Sequence, residues 1–187
     1  MRNAVNLNQV VTIFVNASSR YLLSVAFFVM VFLQNEAVAQ TSSYGELQGA
    51  YIFNFAKYIK WPDNVKTLTI GVYGDSDIAE DLFKTMEGKK AGMREIILKE
   101  ITSPEMAIEC EIIYLPEANS RDLSVLKQAT IGKSILIVTE EDLIRKGAGI
   151  SFVIEDDRLR FKLKKSILAE AGLTVSEGLL KIAIVFN

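Results

Sequence analysis

The chain has 187 residues, with 21 basic and 23 acidic side chains, one cysteine and no histidine. Without histidine there is no Ser-His-Asp or Cys-His catalysis, no HExxH metal site and no imidazole proton shuttle. One cysteine forbids an intramolecular disulfide and a Cys-rich zinc site. A net charge of −2 supplies no drive toward nucleic acid, which leaves carboxylate or lysine chemistry, or no reaction; no cofactor or metal is expected.

The amino terminus reads as a secretory signal. Arg2 and Arg20 are the only charges before Glu36, and an apolar run follows from Tyr21 to Leu33. As a helix that run spans about 20 Å, short of the roughly 30 Å hydrocarbon core, so it does not read as a transmembrane helix. Ala37-Val38-Ala39 is an A-x-A cleavage signature. The expected organisation is a signal peptide over 1–39, a flexible lead-in over 40–44 and one domain over 45–187, placing the protein in the periplasm. The long segment before the apolar run, with its own apolar stretch Val10 to Val15, leaves an uncleaved anchor as the alternative.

From Leu47 the spacing turns helical, and the helix should stop before Pro62, which disfavours helical geometry at Trp61. At about 100° per residue, Leu47, Tyr51, Phe55, Tyr58 and Ile59 share one arc, the expected core face. Strands are predicted at Leu68 to Tyr73, Glu95 to Leu98, Glu111 to Leu115 and Ser134 to Val138. They alternate with amphipathic stretches at Ile78 to Glu87, Pro104 to Glu109, Arg121 to Thr130 and Glu140 to Lys146. Asp75 and Asp77 read as helix N-caps, and Thr139 with Asp142 as a capping box. Gly88, Gly132, Gly147 and Gly172 stand where left-handed C-caps belong.

After Gly149 the sequence alternates around Asp156-Asp157, which reads as an antiparallel hairpin facing Ile154 to Leu159, Phe152 to Phe161 and Ile150 to Leu163. A terminal helix is predicted over Leu179 to Phe186. The fold class is therefore α/β, a single three-layer domain with a mainly parallel sheet, a C-terminal antiparallel hairpin and a terminal helix.

Three features are candidates for function. Phe53 projects away from the expected core face, between Lys57 and Lys60; it is either a partner-binding aromatic flanked by cations or a residue covered by the terminal helix or the hairpin. Trp61 is either a further contact or an amphipathic cap over the sheet edge. On the hairpin, Arg158, Arg160, Lys162 and Lys164 point away from the apolar positions, as a docking strip for something acidic or as charges that keep an outer strand from aggregating. The turn after the first sheet strand ends in Gly74; it lacks GxGxxG spacing, and its aspartates would repel phosphate. A neutral or cationic small ligand above the strand ends, near Gly74 and Asn119, is the alternative there. Cys110 reads as a small buried hydrophobe, or as the source of an intermolecular disulfide. The carboxylates at Glu140-Glu141-Asp142 and Glu155-Asp156-Asp157 read as solvated acids at a helix start and a turn, so the signal for a hydrolase is weak.

Gly49-Ala50-Tyr51-Ile52-Phe53-Asn54-Phe55-Ala56-Lys57-Tyr58-Ile59-Lys60-Trp61-Pro62 resembles the opening helix of the YfiR/HmsC-like periplasmic proteins. So do Gly149 to Ile154, Arg160-Phe161, Ala171-Gly172-Leu173, Ser176 and Leu179-Leu180-Lys181-Ile182-Ala183. The resemblance implies a non-enzymatic regulator that binds the periplasmic domain of an inner-membrane diguanylate cyclase, or a sensor kinase, and holds it inactive. It also implies an outer-membrane lipoprotein that can sequester the regulator, a homodimeric state, and no nucleic-acid partner. The chain departs from the best-known members in having only Cys110, so a disulfide switch within one chain cannot operate. The surface residues expected to meet the partner are Phe53, Lys57, Trp61, Arg160 and Lys162, with Gly74 and Asn119 as the alternative ligand site. A periplasmic small-molecule sensor is the second reading of function.

Overall fold

The computed structural model describes residues 44–62, 64–76 and 78–187, so the expected signal peptide and its cleavage site lie outside the described residues. The first helix, α1, is helical over residues 44–58. It leads into β1 (Ile59–Lys60), β2 (Thr67–Tyr73), α2 (Ala79–Met86), β3 (Lys90–Ala91), β4 (Arg94–Ile101) and β5 (Ile112–Leu115). Then come α3 (Leu123–Ala129), β6 (Leu136–Thr139), β7 (Ile150–Glu155), β8 (Arg158–Lys164), α4 (Lys165–Glu170), β9 (Thr174–Val175), α5 (Glu177–Ile182) and β10 (Ile184–Phe186).

Eight strands form one sheet in the order β10-β8-β7-β6-β5-β2-β4-β3. The pairs β2–β4, β2–β5, β5–β6 and β6–β7 are parallel, with antiparallel ends at β3–β4 and β7–β8. Strands β2, β5 and β6 are buried at most or all of their positions, as parallel strands covered on both faces must be. One face packs under α1, α2, α4 and α5 through Phe55, Leu82, Phe152, Phe161, Leu168 and Leu179. The other packs under α3 through Ile113, Leu115, Ile137, Leu123 and Leu126. The chain steps from β2 to β4 on one side and returns to β5 on the other, so the direction of winding reverses between β2 and β5.

The hairpin has the expected register: Ile150 opposite Leu163, Phe152 opposite Phe161, Ile154 opposite Leu159. Asp156 and Asp157 both have positive φ, 52° and 56°, the two-residue geometry whose twist matches the strands it joins. Phe161 stands edge-on to Phe55 at 4.9 Å and to Tyr51 at 5.2 Å, so the hairpin is clamped to α1 by aromatic contacts.

Five expectations change. The buried face of α1 is Gln48, Ile52, Phe55 and Ala56, continued by Ile59 of β1, whereas Leu47 is 46% and Tyr58 43% exposed. The core arc is thus turned by about 60° from the expected one. The terminal helix stops at Ile182, and Ile184–Phe186 pair in parallel with Lys162–Lys164 of β8. No helix fills 140–146 beyond a 3-10 turn at Ile144–Lys146. The Thr139 hydroxyl, rather than capping a helix, lies 2.7 Å from Ser151 Oγ and donates to the Glu141 carbonyl. Likewise α2 starts at Ile78 with no side-chain cap, so Asp75 does not cap it; Asp77 lies outside the described residues.

Gly71, in the middle of β2, is fixed by close approach. A Cβ there would lie 2.7 Å from Cys110 Sγ and 2.9 Å from an Ile101 methyl. Cys110 itself is buried as a small hydrophobe, and burial pushes its thiol up to about 11.

Candidate partner-binding surface

The two ends of the expected contact set lie on different faces of the sheet. Leu159, Phe161 and Leu163 face α1 and the core, so the alternating Arg160 and Lys162 face the other way. Arg160 is bound by Glu155 on the neighbouring strand. Lys162 Nζ donates to Asp142 Oδ2 at 2.6 Å, and Lys164 Nζ sits 5.5 Å above the Phe186 ring. The short β10 pairs only with Lys162–Lys164, so the stretch Arg158–Phe161 of β8 stays at the sheet edge. Arg160 and Lys162 are thus paired within the chain, while Arg158 and Arg160 lie along the part of β8 that β10 does not cover.

Trp61 is not a surface residue. It is 1% exposed, and its indole N–H donates to the Ala56 carbonyl at 3.0 Å. That bond ties the residue after β1 back to the last turn of α1.

Phe53 and Lys57 remain on the surface. Phe53 is half-buried, with Lys89 Nζ over its ring 5.1 Å from the centroid. Lys57 is exposed, with its ammonium 5.1 Å from the Tyr58 ring. Beside them opens a concavity of about 570 Å³ lined by Lys57, Tyr58, Lys66, Met93 and Arg94 among others. Arg94 is held there by donating its Nε–H to the Val65 carbonyl at 2.8 Å. Sequence reasoning missed Lys66, Met93 and Arg94, because only the β2–β4 pairing brings residues 65–66 beside 93–94. The signal available was a cation before each of two adjacent strands.

Gly74 and Asn119 do meet. They stand at the carboxyl ends of β2 and β5, where the winding reverses, the usual place for ligands in open α/β sheets. Gly74 has φ +74°, and a Cβ on it would lie 2.7 Å from Asn119 Oδ1. That oxygen is buried and accepts no hydrogen bond among the described residues. Nearby, the Tyr73 phenol is raised by burial and by the Asp122 and Glu105 carboxylates. The crevice offers acceptors and negative charge, which suits a donor-bearing ligand and repels phosphate.

A family model described as YfiR/HmsC-like matches residues 45–184. The chain belongs to the YfiR/HmsC-like family. Its family is periplasmic and regulatory rather than enzymatic, and membership suggests a regulator of cyclic-di-GMP signalling. Among solved structures, a conserved domain protein from Vibrio cholerae is similar at 12% identity and TM-score 0.53, covering 74% of this chain and 60% of that one. An ABC domain in complex with L-Trp from Streptococcus pneumonia is similar at 15% identity and TM-score 0.47, covering 71% and 58%. The chain thus spans about three-fifths of the length of each, and at such identity the first likeness shows the fold alone.

Proposed function

We propose that this protein is a periplasmic repressor that binds the periplasmic domain of an inner-membrane signalling protein of diguanylate cyclase type and holds it inactive by protein contact. Membership of the family over nearly the whole described domain carries the reading. The contact surface is the outward side of α1, with Phe53 and Lys57 as its anchors, because these two remain accessible whereas Trp61 is internal and Arg160 and Lys162 are engaged within the chain. An accessible aromatic such as Phe53 is the kind of side chain enriched at interfaces. The reading includes a homodimer and release by an outer-membrane lipoprotein, as the resemblance implies. The test is capture from detergent-solubilised host membranes: the wild type should retain a cyclase with a periplasmic domain, Phe53→Ala with Lys57→Glu should lose it, and Arg160→Glu should keep it. Equal retention by all three would overturn the surface, and failure of the wild type to retain any membrane cyclase would overturn the function.

One observation favours a second reading. The unpartnered Asn119 Oδ1 at the strand-order reversal fits a small donor-bearing ligand, hence a sensor domain feeding a membrane receptor. A ligand at 100 times its dissociation constant would add about 2.7 kcal/mol to stability. A thermal-shift screen of amines should then give hits that Asn119→Leu abolishes; a screen without hits contradicts this reading.

A further inference from the structure

The mouth of the concavity beside α1 has a property the repressor reading does not use. Met93 is 98% exposed, at the tip of the turn that joins β3 to β4. Around this protruding apolar side chain stand Lys57, Lys66 and Arg94, and no carboxylate is among the described lining residues. Lys89 and Lys90 precede the same turn; Glu95 beyond it is engaged by Lys90. Half-exposed Tyr58 adds an amphipathic ring. The opposite end of the sheet, where β2, β5 and β6 finish, carries Asp75, Glu117, Asp122, Glu140 and Glu141. The two clusters differ in sign, although Glu87 and Glu111 lie toward the basic end and Arg121 toward the acidic one.

We infer that this basic end docks on an anionic phospholipid surface, with Met93 entering the headgroup layer and the lysines and Arg94 facing the phosphates. Three features favour a membrane over an acidic protein segment. The most exposed apolar group, Met93, stands at the rim of the concavity with nearly its whole side chain in solvent. Lys57 and Lys66 sit on long stems to either side of the fixed Arg94, a diffuse match to headgroups. The acidic far end is repelled by the same surface, which orients the molecule. The inference goes beyond the repressor reading but shares Lys57 with its surface; the vesicle assay contains no cyclase, so the two fail separately.

The test is co-sedimentation of the protein purified from the periplasm with vesicles of equimolar phosphatidylglycerol and phosphatidylcholine, against vesicles of phosphatidylcholine alone. Binding should require phosphatidylglycerol and weaken with salt. At matched ionic strength, inorganic phosphate should release it no better than chloride. Removing one lysine should lower the partition about fivefold, from about 1 kcal/mol per cation near such a surface. Lys66→Glu and Met93→Asp change exposed side chains, so both should fold and both should lose binding, while Arg158→Glu on the distant hairpin should not. No phosphatidylglycerol-dependent binding would overturn the inference. Binding that survives Lys66→Glu and Met93→Asp would also overturn it, by placing the contact elsewhere on the chain. Specific release by inorganic phosphate would point to a small-anion site instead.

Discussion

Tyr114 and Gln48 give the sharpest test of how α1 sits on the sheet. Tyr114 O–H donates to Gln48 Oε1 at 2.7 Å, joining the centre of β5 to the first turns of α1, and the two residues are 0% and 5% exposed. With both ends out of water, Tyr114→Phe removes the donor and leaves a buried amide oxygen with nothing to replace it. That costs about 1–3 kcal/mol, whereas an exposed bond would cost little. For a domain of this size the midpoint should fall by about 2–4 °C for each kcal/mol. Gln48→Met should be milder, because the Glu140 carboxylate is close enough to accept a hydrogen bond from the freed phenol O–H. In the double variant the partners are both apolar, so its cost should be smaller than the sum. Urea unfolding followed by circular dichroism measures all three, as shifts in midpoint at constant slope. A Tyr114→Phe protein as stable as the parent would refute the buried bond, and strict additivity would refute the pairing.

The hairpin turn holds two aspartates at positive φ, so Asp156→Asn with Asp157→Gly should stabilise by about 1 kcal/mol, read as a raised thermal midpoint. An unchanged or lowered midpoint would count against the turn geometry. Cys110 should confer a pH dependence. Its thiol stays protonated in the native chain up to about 11 but ionises near its ordinary 9.0 when unfolded. The unfolded chain then binds fewer protons across that window, so stability is fully present below pH 9 and falls as pH rises toward 11. The difference from a Cys110→Ala protein in alkaline denaturation should show this slope, and parallel curves would deny it. As the chain's one tryptophan, Trp61 should emit at short wavelength and resist iodide quenching until the protein unfolds. Quenching like that of a free indole would return Trp61 to the surface.

The hairpin was the most legible part of the sequence. Its period of two leaves one register in which Ile150, Phe152 and Ile154 all meet apolar partners, and one slip would break every pair. The glycine stops were equally readable, since Gly88, Gly132, Gly147 and Gly172 all have positive φ. The face of α1 was misread because one polar residue, Gln48, is buried through its bond to Tyr114, while two apolar ones, Leu47 and Tyr58, are left outside; pattern alone cannot foresee a polar partner arriving from residue 114. The tail 184–186 lacks any period, so a short apolar run there fits helix or strand equally, and the free edge of β8 decided for strand. At the site, the meeting of Gly74 with Asn119 followed from strand-helix alternation. The engagement of Arg160 by Glu155 and of Lys162 by Asp142 did not, because opposed charges on neighbouring elements are invisible until the elements are placed.

The central claim is repression through the outward side of α1, and the cellular level of cyclic-di-GMP in the native host tests it most directly. Deleting the gene should raise the level; the wild type and Arg160→Glu should restore it, and Phe53→Ala with Lys57→Glu should not, though exported and folded. A level that deletion leaves unchanged, or that the Phe53 and Lys57 variant restores as fully as the wild type, would contradict the account.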